Sequence, residues 1–477
     1  MDAATLPEII QGGMGIAVSD WRLARAVSQR GQLGVVSGTA IDSVMVRRLQ
    51  DGDIGGHVRR AFEKFPIPQA AADAIRRYFR PEGRPEGQPY KPVPMHHHMV
   101  DQAREQLTML ASFVEVHLAK EGHSGLIGMN LLTKVQLPNL ASIYGAMLAG
   151  VDYLLMGAGI PREIPAALDA LAEHKPASLT FDLVGPRSET PEKLTLDAPS
   201  HWTGEPPAVK RPRFLPIVAS NSLATMLARK GNGGIDGFVI EGPTAGGHNA
   251  PPRGQATFNE RGEPIYGPRD VVDLQKISEL GLPFWLAGGA GSPEKLKQAK
   301  EAGAAGIQVG TLFAFCEESG LDPALKTSVL EHAARGEVDV KTDALASPTG
   351  YPFKVVHLNG NMASRHRERV CDLGYLRSAH RAEGGKVVFR CASEPVEAFV
   401  EKGGDASETE GRQCLCNALM ANIGMGQFRP EGVAEPPLLT SGDDLMSLPA
   451  ILAGKLAYTA GDVIDFLLGR KRAPKEA

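Results

Sequence analysis

The sequence predicts a (β/α)8 barrel, on three observations. Short apolar runs alternate with helical stretches, which is the pattern of a parallel sheet buried on both faces. There are eight such runs between about residue 7 and residue 311, enough to close a barrel with none left over. Most of them end in glycine or a small polar residue, as strands do when they open onto a ligand-binding mouth.

The runs follow in order. "PEIIQ" (7–11) leads into "GGMG" and an amphipathic stretch from Asp20 to Arg30. Gly31 then suits a helix stop before "QLGVVSG" (32–38). "GLIGMNLL" (125–132) and "VDYLLMGAG" (151–159) flank the helical "PNLASIYGAMLAG". "FLPIVAS" (214–220), "DGFVIEG" (236–242), "PFWLAGGAG" (283–291) and "AGIQVGT" (305–311) complete the set. Residues 43–120 are too long for an ordinary connection. They read as a helical insertion after the second strand, with helical patches at Val44–Leu49, Ala70–Tyr78 and Gln102–Lys120 around "RPEGRPEGQPYKPVP". A second irregular excursion spans 181–212. The expected organisation is a barrel over 1–334 and a mostly helical C-terminal extension over 335–477, with apolar helices at Met446–Tyr458 and Val463–Leu468.

Composition narrows the function. With 477 residues, 43% of them hydrophobic, the chain can bury a large core. A net charge of −4 offers no basic excess for nucleic acid. No uncharged apolar stretch reaches the roughly 18 residues of a membrane span. The first residues lack a cationic and apolar export signal, and five cysteines do not suggest a disulfide scaffold, so a cytoplasmic location is expected.

Candidate chemistry gathers at the strand ends. "AGGAGSPEKLKQAKEAG" sets Gly288, Gly289 and Gly291 ahead of a helix, with Ser292 as N-cap and Pro293 in its first turn. "VGT" brings Gly310 and Thr311. Amides from these two loops, backed by a helix dipole, form a phosphate cradle where barrels commonly hold one; tight turns alone would also use the glycines. "QGGMG" (11–15) offers backbone groups without bulk, and Asn130 offers an amide to a ring edge or to nearby backbone. In "EGPTAGGHNAPPRG" (241–254), His248 is either a turn histidine or a base held against a flat ligand.

The ordered set "PEIIQGGMG", "GMNLL", "AGVDYLLMGAGIP", "EGPTAGGH", "WLAGGAG" and "GIQVGT" resembles the nitronate monooxygenases, relatives of the FMN-dependent enoyl-acyl-carrier-protein reductases. The resemblance covers about residues 7–330, and "SPTGYPFK" (347–354) is similar to the longer subfamily. It implies a TIM barrel with FMN at its mouth. Gly13 and Met14 would lie by the flavin, Asn130 would contact it, and Gly289, Gly310 and Thr311 would hold its phosphate. His248 would match the active-site histidine, with Gly246 and Gly247 letting the backbone approach the ring system. The implied activity is oxidation of alkyl nitronates or nitroalkanes with O2. One alternative is an enoyl-thioester reductase using NAD(P)H and a carrier protein; another is a non-catalytic barrel binding a phosphorylated ligand. Expected partners are thus a small-molecule substrate and O2, with no nucleic acid or membrane, and a homo-oligomer is compatible.

Three further features stay open. Cys371, Cys391, Cys414 and Cys416 could close a zinc or iron–sulfur site, or be ordinary buried thiols; Cys316 reads as core. "PMHHHM" (94–99) reads as a solvated loop or a lid over substrate. Arg253 is either a solvated loop charge or a contact for an anionic group.

Overall fold

The computed structural model describes residues 6–470 except 186–190, 232, 359–366, 431 and 453. Part of the 181–212 excursion and the last residues of the extension therefore lie outside the described residues. Eight parallel strands form a closed barrel: β1 (Ile9–Gln11), β2 (Leu33–Ser37), β3 (Ile127–Leu132), β4 (Tyr153–Gly157), β5 (Arg213–Val218), β6 (Phe238–Glu241), β7 (Phe284–Ala287) and β8 (Gly306–Val309). Each falls within one of the eight expected runs or one residue from it. Closure comes from β1 pairing with both β2 and β8, with Ile10 beside Leu33 and Ile9 beside Ile307.

Apolar side chains fill the barrel. Ile10, Val35, Tyr153, Leu155, Leu215, Val239 and Trp285 form an interior cluster, and all are buried. Trp285 is fully enclosed, and its indole Nε1 donates to the Pro7 carbonyl at 2.8 Å, which satisfies its polar edge. Helix starts follow side-chain chemistry. Asp20 caps helix Trp21–Ser28, Ser220 caps Asn221–Lys230, and Ser292 caps Pro293–Glu301 through the Lys295 amide.

Between β2 and β3 lie helices Ile41–Gln50, His57–Phe62, Pro68–Tyr78 and Gln102–Lys120. The Pro/Gly stretch between the last two has no regular structure. The excursion contributes Lys193–Leu196, antiparallel to Ala177–Thr180, and Leu183–Val184, which pairs with Ser378–Arg381 of the extension. The extension holds helices together with two short antiparallel pairs, Val338–Asp343 with Phe353–Leu358 and Ser378–Arg381 with Val387–Arg390.

One expected helix is corrected. Met446–Tyr458 is not continuous: a 3-10 turn (Asp443–Ser447) precedes helix Leu448–Leu452, and Gly454 then turns at a φ of +82°. The expected Val463–Leu468 helix is Ala460–Leu467. Leu445, Leu448, Ile451 and Val463 share one apolar cluster with Ile307, Val309 and Phe313, so the extension is packed on the barrel. Among the described residues no helix is long and apolar enough to cross a membrane.

Replacing Trp285 by alanine removes the largest interior side chain and should lower stability by about 3–5 kcal/mol. Trp285→Phe, which keeps most of the volume but loses the bond to Pro7, should cost less. Urea midpoints of the two variants check the order.

Candidate active site

A cavity of about 480 Å³ opens at the carboxyl ends of the strands. It is lined by Gly13, Met14, Asn130, Gly246, Gly247, His248, Gly288, Gly289, Gly310 and Thr311. Ten of the eleven expected cofactor and catalytic positions therefore meet in one hollow. Gly291 does not line it. Its amide donates instead to the Asp444 carboxylate at 3.0 Å, a group supplied by the extension. Burial raises the Asp444 pKa, while that amide bond works the other way.

Close backbone approach explains two of the glycines. A Cβ on Gly13 would lie 2.2 Å from Asn130 Cβ, so only glycine lets the β1 loop rest on that side chain. A Cβ on Gly246 would lie 2.8 Å from the Gly442 amide. The run before His248 is thus pressed against the extension. Gly247 N–H donates to Thr440 Oγ1 at 3.0 Å, and its carbonyl accepts from Lys354 N at 2.9 Å. Asn249 N–H donates to the Pro352 carbonyl at 2.9 Å, which leaves His248 bridged antiparallel to Phe353. Thr311 Oγ1 accepts the Gly442 amide at 2.9 Å, so the β8 rim is tied to the extension too.

His248 sits in this clamp with its ring edge-on to Phe353, centroids 4.9 Å apart. Its Nε2 is 2.7 Å from Ser347 Oγ, which lies 2.8 Å from Thr349 Oγ1. Lys134, just beyond β3, donates to Thr349 Oγ1 at 3.3 Å. Burial, helped by the Lys134 charge, pulls the His248 pKa down to about 3. Burial alone brings Lys134 to about 7, and its Nζ stands 3.5 Å from the centre of the Tyr351 ring. The imidazole is therefore neutral across the physiological range.

Several lining residues escaped the sequence reading. Glu241 ends β6, and burial raises its pKa to about 7. Gln308, on β8, presents a buried Oε1 with no hydrogen-bond partner among the described residues. Their only signal was position, since both are polar residues closing apolar strands. Tyr351, Phe353, Leu376, Leu415, Cys416 and Leu419 come from the extension; Tyr351 and Phe353 lie in "SPTGYPFK" and Cys416 among the four cysteines, but nothing in the sequence placed any of them on the cavity.

The other expectations fare differently. Arg253 lines the cavity, with its guanidinium on the Ala219 carbonyl at 3.2 Å. The "HHH" run is not uniformly solvated. His96 is half-buried, its Nε2 3.0 Å from Asp42 Oδ2, a carboxylate also held by Arg104 and Tyr375. For the four cysteines the metal expectation is corrected: among the described residues no three His, Cys, Asp or Glu side chains converge to hold an ion. Cys391, Cys414 and Cys416 are buried free thiols and Cys371 is a partly buried one. Burial drives Cys371 and Cys414 up to about 12 and raises Cys391 and Cys416 as well. Cys316 is fully buried core.

Comparison with known proteins agrees with the motif set. Residues 210–376 match the family model described as nitronate monooxygenase. A probable nitronate monooxygenase of Bacillus subtilis is 35% identical over 114 residues, 24% of this chain and 30% of that protein. Nitronate monooxygenase of Pseudomonas aeruginosa is 27% identical over 168 residues, 35% of this chain and 41% of that one. The matched segments thus span about a third of these relatives' length. FabK from Thermotoga maritima superposes with a TM-score of 0.48 at 16% identity, covering 97% of this chain and 92% of that one. Nitroalkane oxidase from Streptomyces ansochromogenes gives 0.43 at 15% identity, covering 97% and 95%. In its motifs and over residues 210–376, the chain resembles the nitronate monooxygenases.

The low pKa of His248 gives stability a pH dependence. The unfolded imidazole takes up a proton near pH 6.5, while the folded one stays neutral down to about 3. Its contribution is complete above about pH 6.5 and is lost as pH falls toward 3. Urea midpoints of the native chain should drop between pH 7 and pH 4.5 by more than those of His248→Gln.

Proposed function

We propose that this protein is an FMN-dependent oxidoreductase that oxidises alkyl nitronates and nitroalkanes with O2. The observation that carries the reading is a neutral imidazole on a glycine-lined cavity between the rims of β1, β7 and β8.

The residues present fit FMN. Gln308 Oε1 is a buried acceptor without a donor among the described residues, which a ring N–H would satisfy. Gly288 and Gly289 have φ values of +86° and +63°, and a Cβ on Gly288 would fall 2.9 Å from the Gly242 carbonyl. Side chains there would press on the loop after β6, at Gly242 and Thr244, and displace the turn that forms the cradle. Gly288, Gly289, Gly310 and Thr311 would hold the phosphate; Gly13, Met14, Asn130, Gly246 and Gly247 would border the rings. Gly291 acts indirectly, by fixing Asp444 beside the cradle. When bound, FMN supplies the electron acceptor and the reaction with O2.

The chain's own groups do the rest. His248, held by Ser347 and Phe353, takes the proton from a neutral nitroalkane; an anionic nitronate needs no such step. Arg253 gives that anion a cation at the mouth. Phe353 and Leu419 exclude water from the reacting carbon.

The rival reading is an enoyl-thioester reductase driven by NAD(P)H. Leu376, Leu415 and Leu419 on the extension wall favour it, because they would suit an acyl chain.

Anaerobic mixing of the FMN-loaded protein with ethyl nitronate should bleach the flavin, and NADPH alone should not. Bleaching by NADPH only would favour the reductase, and no change with either would defeat both. Asn130→Ala should weaken FMN binding about tenfold, read by fluorescence titration.

A further inference from the structure

Lys134 is not on the cavity wall, yet it is joined to the wall by an unbroken string of hydrogen bonds. The string runs from His248 Nε2 to Ser347 Oγ at 2.7 Å, to Thr349 Oγ1 at 2.8 Å and to Lys134 Nζ at 3.3 Å. Ser347 is fully buried, and its backbone carbonyl is held by Arg412 at 2.7 Å. Thr349 N–H also donates to Ser347 Oγ at 3.2 Å, which fixes the middle of the string. The two hydroxyls belong to the extension, while both ends belong to barrel loops.

We propose that Lys134, acting through Thr349 and Ser347, is the terminal acceptor of the proton that His248 removes from a neutral nitroalkane. The inference rests on the functional reading above. A buried imidazole whose charged form is disfavoured is a poor resting place for a proton, although it passes one readily, since one ring nitrogen accepts as the other releases. The substrate C–H proton goes to His248, and the C–H electron pair stays on the substrate as the nitronate. The proton on His248 Nε2 passes to Ser347 Oγ, the Ser347 proton to Thr349 Oγ1, and the Thr349 proton to the Lys134 amine. No electrons leave the substrate in this step, and Lys134 ends as an ammonium.

The surroundings of Lys134 suit an amine that takes and returns a proton. On one side it faces the Tyr351 ring, and its charge is felt at His248. On the other it borders a void of about 10 Å³ shared with His96, Gln136, Tyr375 and Arg377. His96 and Tyr375 are tied to the Asp42 carboxylate, and Arg377 is a fixed cation, so among the described residues no free carboxylate faces Lys134 to hold its proton. Burial places its titration near 7, the range in which a working acceptor must exchange protons with water.

Two measurements on the full chain test this. The first uses 15N-histidine NMR without cofactor, with the His248 signal identified by its loss in His248→Gln. In the native chain its ring-nitrogen shifts should follow a titration near neutral pH, and Lys134→Met should abolish it. Ring-nitrogen shifts that follow the same curve in both would overturn the string. The second is steady-state oxidation by FMN-loaded protein between pH 5.5 and 9. Turnover of nitroethane should rise through neutral pH in the native enzyme. The ratio of nitroethane to ethyl nitronate turnover should fall about tenfold or more in Lys134→Met and in Thr349→Val, the latter leaving the lysine in place. Lys134→Arg, permanently charged, should not restore it. An unchanged ratio and pH profile in Lys134→Met would overturn the proposal. A native flavin that reacts with neither substrate would defeat the functional reading, and the NMR titration would still decide the coupling.

Discussion

The backbone pairing of residues 247–249 with 352–354 is the constraint on which the site depends. It converts a glycine-rich turn into a short strand addition, with Lys354 N–H on the Gly247 carbonyl and Asn249 N–H on the Pro352 carbonyl. A bare strand-end loop would leave its amides to water and its imidazole free to rotate. Here the same bonds that satisfy the loop bury His248 against Phe353 and bring Ser347 to its Nε2. The electrostatic character of the site follows, because burial is the first cause of the low His248 pKa and the whole cause of the shifts at Glu241 and Lys134.

The glycines therefore serve two masters. Gly13 is required by Asn130 and Gly246 by Gly442, and in both cases it is protein, not ligand, that a Cβ would strike. Gly288 faces the Gly242 carbonyl in the same way, with a left-handed φ that adds to the restriction. A cavity whose wall is backbone presents fixed dipoles and little side-chain freedom, which suits a flat ligand recognised along its edge. Asp444 shows the other side of this economy. One of the β7-loop amides that a phosphate would attract is already engaged by a carboxylate of the chain itself.

The barrel was legible because its signals are local. Eight apolar runs carry their own period and punctuation, and Ser292 announces its helix in the residues that follow it. The strand-end positions were legible for the same reason, since in a barrel the order of the strands fixes which loops meet. What could not be read was everything that depends on contact across long separations. Cys416 reaches the cavity and Asp444 reaches Gly291 through the packing of an extension that has no repeat to follow. Lys134 carries no sequence signal, because nothing in "NLLTKV" records that Thr349 will lie beside it. The four thiols misled in the opposite way: their spacing allowed a metal, yet among the described residues no three ligating side chains are assembled to hold one. The Met446–Tyr458 run shows the limit of apolar patterning, where Gly454 and a tight turn outweigh it.

In chain order the residues lining the cavity run from Gly12 to Asp444. A chain leaving the ribosome amino end first can close its barrel once β8 has emerged, well over a hundred residues before the final wall of the hollow is translated. Completion of the hollow is thus deferred until Asp444 has been translated, and a nascent barrel that halts earlier would carry a mouth open to solvent with its glycine rims unguarded.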